Sequence, residues 1–119
     1  MVNVDSLRFG SIVINGKKFR HDVTLSPDGT VKRRNGGFWM FGGHSIKEEE
    51  VSQIVNEGAS SMVIGTGTSG VAKLTKEALS FIDKNKIEMV SLPSKEAIIQ
   101  FNKLTEEGKK VGAIIHVTC

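Results

Sequence analysis

The first third of the chain alternates between apolar and polar residues in short runs, a pattern typical of antiparallel β-strands. Asn15-Gly16 separates two of these runs. Because both residue types tolerate positive φ, the pair predicts a tight β-hairpin with Ile12 opposite Phe19. His21 then lies on an otherwise apolar face. It is either a half-buried histidine with one backbone partner or a ligand-binding residue.

From residue 45 onward, apolar residues recur at helical spacing, with short continuous apolar runs between the predicted helices. Ser45 followed by Glu48 has the capping-box pattern, which predicts a helix start. Thr75 and Ser94 are also residue types that favour helix N-caps. The predicted elements are, in order, a turn at residues 26–29, a strand at 30–34, a helix from Ser45 to Gly58, a strand at 61–64, a helix from Thr75 to about Lys86, a strand at 87–92, a helix from Ser94 to Gly108 and a strand at 111–117.

Hairpins followed by a βαβαβ run predict an α/β protein, with some α+β character, in which helices pack on one mixed sheet. The length of 119 residues fits one domain, and we expect residues 1–119 to form it. The hydrophobic share of 39% and charged share of 24% are those of an ordinary globular protein.

No apolar run reaches the length of a membrane span, and the N-terminal residues lack a signal-peptide pattern. A single cysteine, Cys119, cannot form an intrachain disulfide, so we expect a cytoplasmic protein without membrane association. Residues 1–44 hold seven lysines and arginines against three aspartates, whereas residues 45–119 hold nine against ten acids. This mild N-terminal excess falls short of a nucleic-acid footprint, so we do not expect nucleic-acid binding.

Residues 65–70, Gly65-Thr66-Gly67-Thr68-Ser69-Gly70, match G-x-G-x-x-G directly after a predicted strand. The next helix begins only at Thr75, and Glu88 falls at the wrong end of its strand to hold a ribose. The pattern therefore predicts a tight glycine-rich connection and no dinucleotide cofactor. Exposed amides with the three hydroxyls nearby leave open a site for a phosphate or carboxylate.

A right-handed crossover makes the strands ending at Gly65 and Leu92 parallel, so their carboxyl ends lie together. The loop is then expected beside Pro93 and Ser94, at the edge of the sheet where ligands of α/β proteins gather. Ser94 is for this reason a candidate ligand-binding residue.

Four large apolar residues, Phe38, Trp39, Met40 and Phe41, lie between two glycine pairs. An exposed cluster of this kind would bind a protein partner or act as a lid. A strand covered on both faces is the alternative interpretation.

His44 precedes the first predicted helix, where the helix dipole favours a neutral ring, and it is a further candidate for ligand binding. His116 and Cys119 are spaced H-x-x-C, but no C-x-x-C or H-E-x-x-H spacing supports a metal site. A cysteine three residues after a strand histidine is also poorly placed for nucleophilic catalysis. We therefore expect no metal, no cofactor and no catalytic residues.

The chain resembles a family of small domains of unknown function. The resemblance spans nearly the whole chain and is strongest at Gly65-Thr66-Gly67, at residues 101–104 (Phe-Asn-Lys-Leu) and at residues 115–119 (Ile-His-Val-Thr-Cys). Members of this family include archaeal single-domain proteins, an adipogenesis-associated protein and the mitochondrial respiratory complex I assembly factor numbered three.

This resemblance implies a three-layer mixed sheet whose final strand is central and antiparallel to its neighbours. Cys119 would then point away from the glycine loop, and no single site would join them. The resemblance also implies an assembly or signalling role without established catalytic residues. It marks Gly65, Gly67, His44 and Asn102 as candidate positions.

Two functional hypotheses follow. The first is a non-enzymatic protein-binding or assembly module with an unidentified protein partner, and it leaves open a homo-oligomer. The second is a small protein or enzyme that binds an anionic metabolite at residues 65–70 with help from Ser94 and His44.

Overall fold

A computed structural model of the chain describes residues 2–34 and 45–119. Phe38, Trp39, Met40, Phe41 and His44 lie outside the described residues, and the predictions made for them stay predictions. The strands are β1 (Val4–Arg8), β2 (Ser11–Ile14), β3 (Lys17–Phe19), β4 (Val23–Leu25), β5 (Val31–Arg33), β6 (Ser45–Ile46), β7 (Ser61–Gly65), β8 (Lys73–Leu74), β9 (Glu88–Leu92) and β10 (Val111–Ile115). The helices are α1 (Glu48–Asn56), α2 (Lys76–Lys84) and α3 (Ser94–Glu106).

The described strands form a five-stranded mixed sheet in the order β5-β4-β10-β7-β9, a three-stranded antiparallel sheet β1-β2-β3 and a short parallel pair β6-β8. One face of the five-stranded sheet packs against α3 and the three-stranded sheet. The other face packs against α1 and α2. The α/β prediction of a three-layer mixed sheet, with hairpins first and βαβαβ afterwards, is confirmed.

The predicted hairpin forms at Asn15-Gly16, where both residues have positive φ, +49° and +81°. Ile12 lies opposite Phe19 as predicted. The first long helix, in contrast, has Lys47 as its N-cap residue, two positions after the predicted cap. The Lys47 amide donates to the carboxylate of Glu50 over 2.9 Å, while Ser45 belongs to β6.

The terminal strand β10 is central, as the family resemblance implied, but its orientation corrects that expectation. It is antiparallel to β4 and parallel to β7. The parallel pairing places the carboxyl ends of β10 and β7 at the same edge of the sheet. Cys119 therefore lies at the glycine loop, where its oxygen accepts from loop amides, and the prediction that it points away from the loop is wrong.

Asn102 joins the two sheets through α3. Its side-chain amide accepts from the Val4 amide over 2.9 Å and donates to the Val4 carbonyl over 2.8 Å. Because both main-chain groups of an edge-strand residue are satisfied by one side chain, Asn102 fixes the hairpin sheet to the helix. None of the helices in the described part of the chain has the length and apolar character that a membrane crossing requires.

Candidate functional site

The glycine loop at residues 65–70 follows β7 and lies beside the start of α3, as predicted. The Gly67 amide donates to Ser94 Oγ over 2.8 Å, and the Ser94 amide donates to the Gly67 carbonyl over 2.9 Å. Ser94 Oγ in turn donates to the His116 carbonyl over 2.6 Å. Ser94 is fully buried and ties the loop, the helix and the segment after β10 together.

The other loop amides, apart from that of Gly67, are hydrogen-bonded to main-chain oxygens of the same chain. The Thr68 amide donates to the Thr118 carbonyl over 2.7 Å, and the Ser69 and Val71 amides donate to the Cys119 oxygen over 3.3 and 3.0 Å. The loop thus binds residues 118 and 119 through the same amide donors that an anion would use. No bound ligand tests the anion-binding prediction for residues 65–70 and Ser94, and it stays a prediction.

A buried cluster of charged side chains lies at the same edge of the sheet. Arg34, next to the end of β5, forms ion pairs with Asp22 over 2.9 Å and with Glu50 at the start of α1. It also donates to the Ser45 carbonyl over 2.7 Å. The Arg34 side chain is inaccessible to solvent. The cluster therefore joins a hairpin to a helix through buried charges, and removing one of them would leave the others uncompensated.

His116 completes this cluster from the segment after β10. Its Nδ1 lies 2.7 Å from Asp22 Oδ2, and its Nε2 lies 3.0 Å from Thr118 Oγ1. The other oxygen of Asp22 accepts from the Val117 amide over 2.8 Å. These contacts exist because β4 and β10 are antiparallel neighbours, so Asp22 before β4 meets the residues after β10.

The charge of the buried acid is maintained by these contacts. Burial by itself would raise the pKa of Asp22, but hydrogen bonds from His116, Val117 and Arg34 outweigh it and hold the pKa below the ordinary value of 3.8. Burial would likewise lower the pKa of Arg34, but the hydrogen bond and charge of Glu50, followed by those of Asp22, raise it. The pair is therefore ionised at neutral pH.

A cavity of about 280 Å³ opens beside the cluster, and we call it the His116 cavity. The described residues that line it are Gly10, Arg20, His21, Asp22, Arg33, Arg34, His116, Val117 and Thr118. Arg20 and Arg33 line it in addition to the Arg34–Asp22 ion pair, and among the described lining residues Asp22 is the one acid. The cavity is therefore electropositive, and an anion is the ligand it can bind.

His21 shows how the wall of the cavity is built. It is half-buried, as predicted, and its Nδ1 lies 2.8 Å from the Asp22 carbonyl. Its ring also makes an edge contact with Phe19, with ring centroids 5.8 Å apart. The one backbone partner expected from the sequence is present, and the ring additionally lines the cavity.

Sequence reasoning missed the cluster as a unit. His116 interrupts an apolar run, and a polar residue in such a run is usually buried with a partner. That signal could have marked His116 as a buried residue with a partner, but it could not have identified Asp22 and Arg34 as its neighbours. Among residues 2–34 and 45–119, the structure holds no group of three or more histidine, cysteine or acidic residues arranged to hold a metal ion.

Comparison with known proteins places the chain among small proteins without an assigned role. A family model described as "Protein of unknown function (DUF498/DUF598)" matches residues 4–116. The solved structure named MT938 is 30% identical over 100% of both chains, with a TM-score of 0.83. The conserved hypothetical protein PH1505 from Pyrococcus horikoshii OT3 is 32% identical over 98% of this chain and 99% of that one, with a TM-score of 0.81.

A more distant structure shares the fold alone. A Bordetella pertussis protein described as a Mth938-like domain is 16% identical over 97% of this chain and 85% of that one, with a TM-score of 0.73. The resemblance inferred from the sequence, to a small family of unknown function with archaeal members, is confirmed.

Proposed function

We propose that this chain, which belongs to the DUF498/DUF598 family of proteins of unknown function, binds a small anionic metabolite in the His116 cavity. One observation carries this proposal: arginine and histidine side chains from separate elements converge on one cavity whose acid is already neutralised. The metabolite class is the one considered from the sequence, but the site is moved from the glycine loop to the cavity beside it.

The size and charge of the cavity define the ligand class. A volume of about 280 Å³ is at the lower end for small-molecule sites, so the ligand has few non-hydrogen atoms. Guanidinium groups bind carboxylates and phosphates through paired hydrogen bonds. A short carboxylic acid or a phosphate ester therefore fits the site.

Reversing the charge of Arg20 tests this function. Arg20 is exposed at the rim of the cavity, so Arg20→Glu is expected to leave the fold intact. It should raise the Kd for inorganic phosphate or succinate by about tenfold, equivalent to 1.4 kcal/mol, because an attractive charge becomes a repulsive one. Isothermal titration calorimetry with both anions, at low and high salt, measures the change.

Lys84→Glu at the end of α2 is the matched control, because it makes the same change in net charge at an exposed residue outside the cavity. Its Kd should equal that of the unmodified protein. The proposal is wrong if neither anion binds saturably, or if the two variants weaken binding equally.

A second candidate function, protein binding, is favoured by β9. Among the described strands β9 is an edge of the five-stranded sheet. The amide of its residue Glu88 donates to the Ser60 carbonyl, and the Leu92 carbonyl accepts from the Thr66 amide. In a parallel ladder alternate residues bond to the same neighbour, so Met89 and Ser91 direct their main-chain groups outward.

Grooves flank this edge on both faces of the sheet. On the α2 side a groove of about 470 Å³ includes Leu74 and the exposed Leu79. On the α3 side a groove of about 270 Å³ includes Leu104 and Lys109. A strand added to β9 would place alternate side chains in the two grooves, which is how β-augmentation obtains specificity.

The occupant that fits is an extended apolar segment of a partner protein with acidic flanking residues. The two grooves favour such flanks, since two exposed lysines, Lys73 and Lys109, line them against one acid, Glu88. A second copy would bring equally basic surroundings against these lysines, which disfavours self-pairing.

Ser91→Pro tests the second function, because proline removes an outward amide without removing a bond to β7. A synthetic peptide of five alternating valines and leucines flanked by glutamates should perturb the amide signals of Met89 and Ser91 in NMR spectra. It should also bind Ser91→Ala, and should bind Ser91→Pro at least about tenfold more weakly. Equal binding by the alanine and proline variants, or shifts confined to other strands, would contradict it.

A further inference from the structure

Asp22, His116 and Thr118 form a continuous chain of side-chain hydrogen bonds that ends at the His116 cavity. The distance from Asp22 Oδ2 to His116 Nδ1 is 2.7 Å, and that from His116 Nε2 to Thr118 Oγ1 is 3.0 Å. When a neutral ring donates through Nδ1 to the carboxylate, Nε2 is left as the acceptor for the hydroxyl proton. Acid, imidazole and hydroxyl in this order are the arrangement that activates a hydroxyl nucleophile.

The imidazole and the acid are held in place by further contacts. Asp22 accepts from Arg34 over 2.9 Å and from the Val117 amide over 2.8 Å. The His116 side chain is 4% exposed, so the ring nitrogen that faces the hydroxyl lies at the boundary between the interior and the cavity. A fixed, largely dry base of this kind needs no reorganisation before it takes a proton.

Thr118 is held from the opposite side by the glycine loop. Its carbonyl accepts from the Thr68 amide over 2.7 Å and from Thr68 Oγ1 over 3.3 Å. The main chain of Thr118 is therefore anchored, while its half-buried side chain lines the cavity. Arg20 and Arg33 line the same cavity, where they would stabilise negative charge on a bound acyl group.

We propose that Thr118 is a nucleophile, with His116 as its general base and Asp22 as the residue that positions the ring, in the hydrolysis of short acyl esters that carry a carboxylate. This inference deepens the proposed function and rests on it, because the cavity arginines must bind the carboxylate. The size of the cavity limits the acyl group to a few carbon atoms.

The reaction balances with water as the only second reactant. Thr118 Oγ1 attacks the ester carbonyl carbon as its proton passes to His116 Nε2, and a bond forms between Oγ1 and that carbon. The bond to the leaving alcohol then breaks, and His116 returns the proton to the alcohol oxygen. Water attacks the acyl-threonine, gives a proton to His116 and releases the acid, and Thr118 regains its proton.

The test compares Thr118→Val, which keeps the shape and lacks the hydroxyl, with Thr118→Ser, which keeps the hydroxyl. The substrate is the mono-p-nitrophenyl ester of succinate, with p-nitrophenyl acetate as the ester that lacks a carboxylate. The unmodified protein should hydrolyse the succinate ester at least about 100-fold faster than Thr118→Val, the size of effect that acid–base assistance supplies. Thr118→Ser should stay within about tenfold of the unmodified protein.

A β-lactone that carries a carboxylate provides a second measurement. Ring opening by a nucleophilic hydroxyl leaves a stable acyl adduct, which peptide mass spectrometry should locate on Thr118, and on the serine of Thr118→Ser. The inference is wrong if Thr118→Val hydrolyses the succinate ester as fast as the unmodified protein does. It is also wrong if the acyl adduct is found on residues outside the cavity. If phosphate still binds Thr118→Val with its original Kd in that case, the binding function survives and only the catalytic assignment fails.

Discussion

Replacing Arg34 by methionine is expected to lower the free energy of unfolding by about 3–5 kcal/mol, the usual cost of removing one partner from a buried ion pair. Arg34 is inaccessible to solvent and neutralises both Asp22 and Glu50. Without it, two largely buried carboxylates lose the cation that pairs with both of them. Urea unfolding followed by circular dichroism at neutral pH measures the loss.

Lys32→Met is the matched control for Arg34→Met. Lys32 precedes Arg34 by two residues and also pairs with a glutamate, Glu57, over 3.0 Å, but the two side chains are 46% and 29% exposed. A surface pair of this kind contributes about 0–1 kcal/mol. If both variants lose the same free energy of unfolding, burial does not explain the contribution of the Arg34 cluster to stability.

The cost of Arg34→Met should also depend on pH. The lowered pKa of Asp22 stabilises the native state above the ordinary value of 3.8, and this contribution is lost as pH falls through the lower folded value. In the variant Asp22 lacks the Arg34 hydrogen bond that helps to lower its pKa, so it takes up a proton at higher pH. The difference between the two proteins should therefore shrink from about pH 7 to about pH 3, and a constant difference would contradict the electrostatic explanation.

Gly67→Ala is expected to cost about 3–5 kcal/mol, because backbone strain and a steric clash occur together. Gly67 has a φ of +106°, and a Cβ there would overlap the carbonyl group of Cys119 and lie 2.8 Å from the Thr118 oxygen. Neither neighbour is a flexible side-chain end, so the segment after β10 must move. Thermal and urea unfolding should both report the loss.

Gly70→Ala separates the two causes. Gly70 also has a positive φ, +70°, but the nearest atom to an added Cβ, Thr66 Oγ1, would be 3.6 Å away. Only backbone strain applies, so a cost of about 1–2 kcal/mol is expected. Gly67→Ala should in addition weaken anion binding in the His116 cavity, because it displaces Thr118, whereas Gly70→Ala should not. If the two variants lose the same free energy of unfolding, residues 118 and 119 do not clash with a methyl group at position 67.

The secondary structure was largely predictable because its signals are local. The turn at Asn15-Gly16, the N-cap at Thr75 and the late start of the helix after the glycine loop depend on residues within a few positions of one another. The start of α1 was placed too early because Glu50, which bonds to the Lys47 amide, is one of three consecutive glutamates. Spacing alone did not distinguish among them.

The candidate site was predicted only in its location. The rule that ligands gather at the carboxyl ends of parallel strands pointed to the edge of the sheet where the His116 cavity lies. The expected donors, the amides of residues 66–71, bond instead to the chain itself. The side chains that line the cavity come from two distant parts of the chain, the N-terminal hairpins with Arg20 and Asp22 and the segment after β10 with His116 and Thr118.

Local patterns were enough to specify the hairpins, the helices, the succession of elements along the chain and the glycine-rich turn after β7, since turn chemistry and periodicity act over short distances. The parallel pairing of β10 with β7 and the contact of His116 with Asp22, 94 positions away, were evident only in the folded protein. That contact exists because the sheet pairs β10 with β4. Strand pairing depends on how all three layers pack, and this packing cannot be predicted from local sequence patterns.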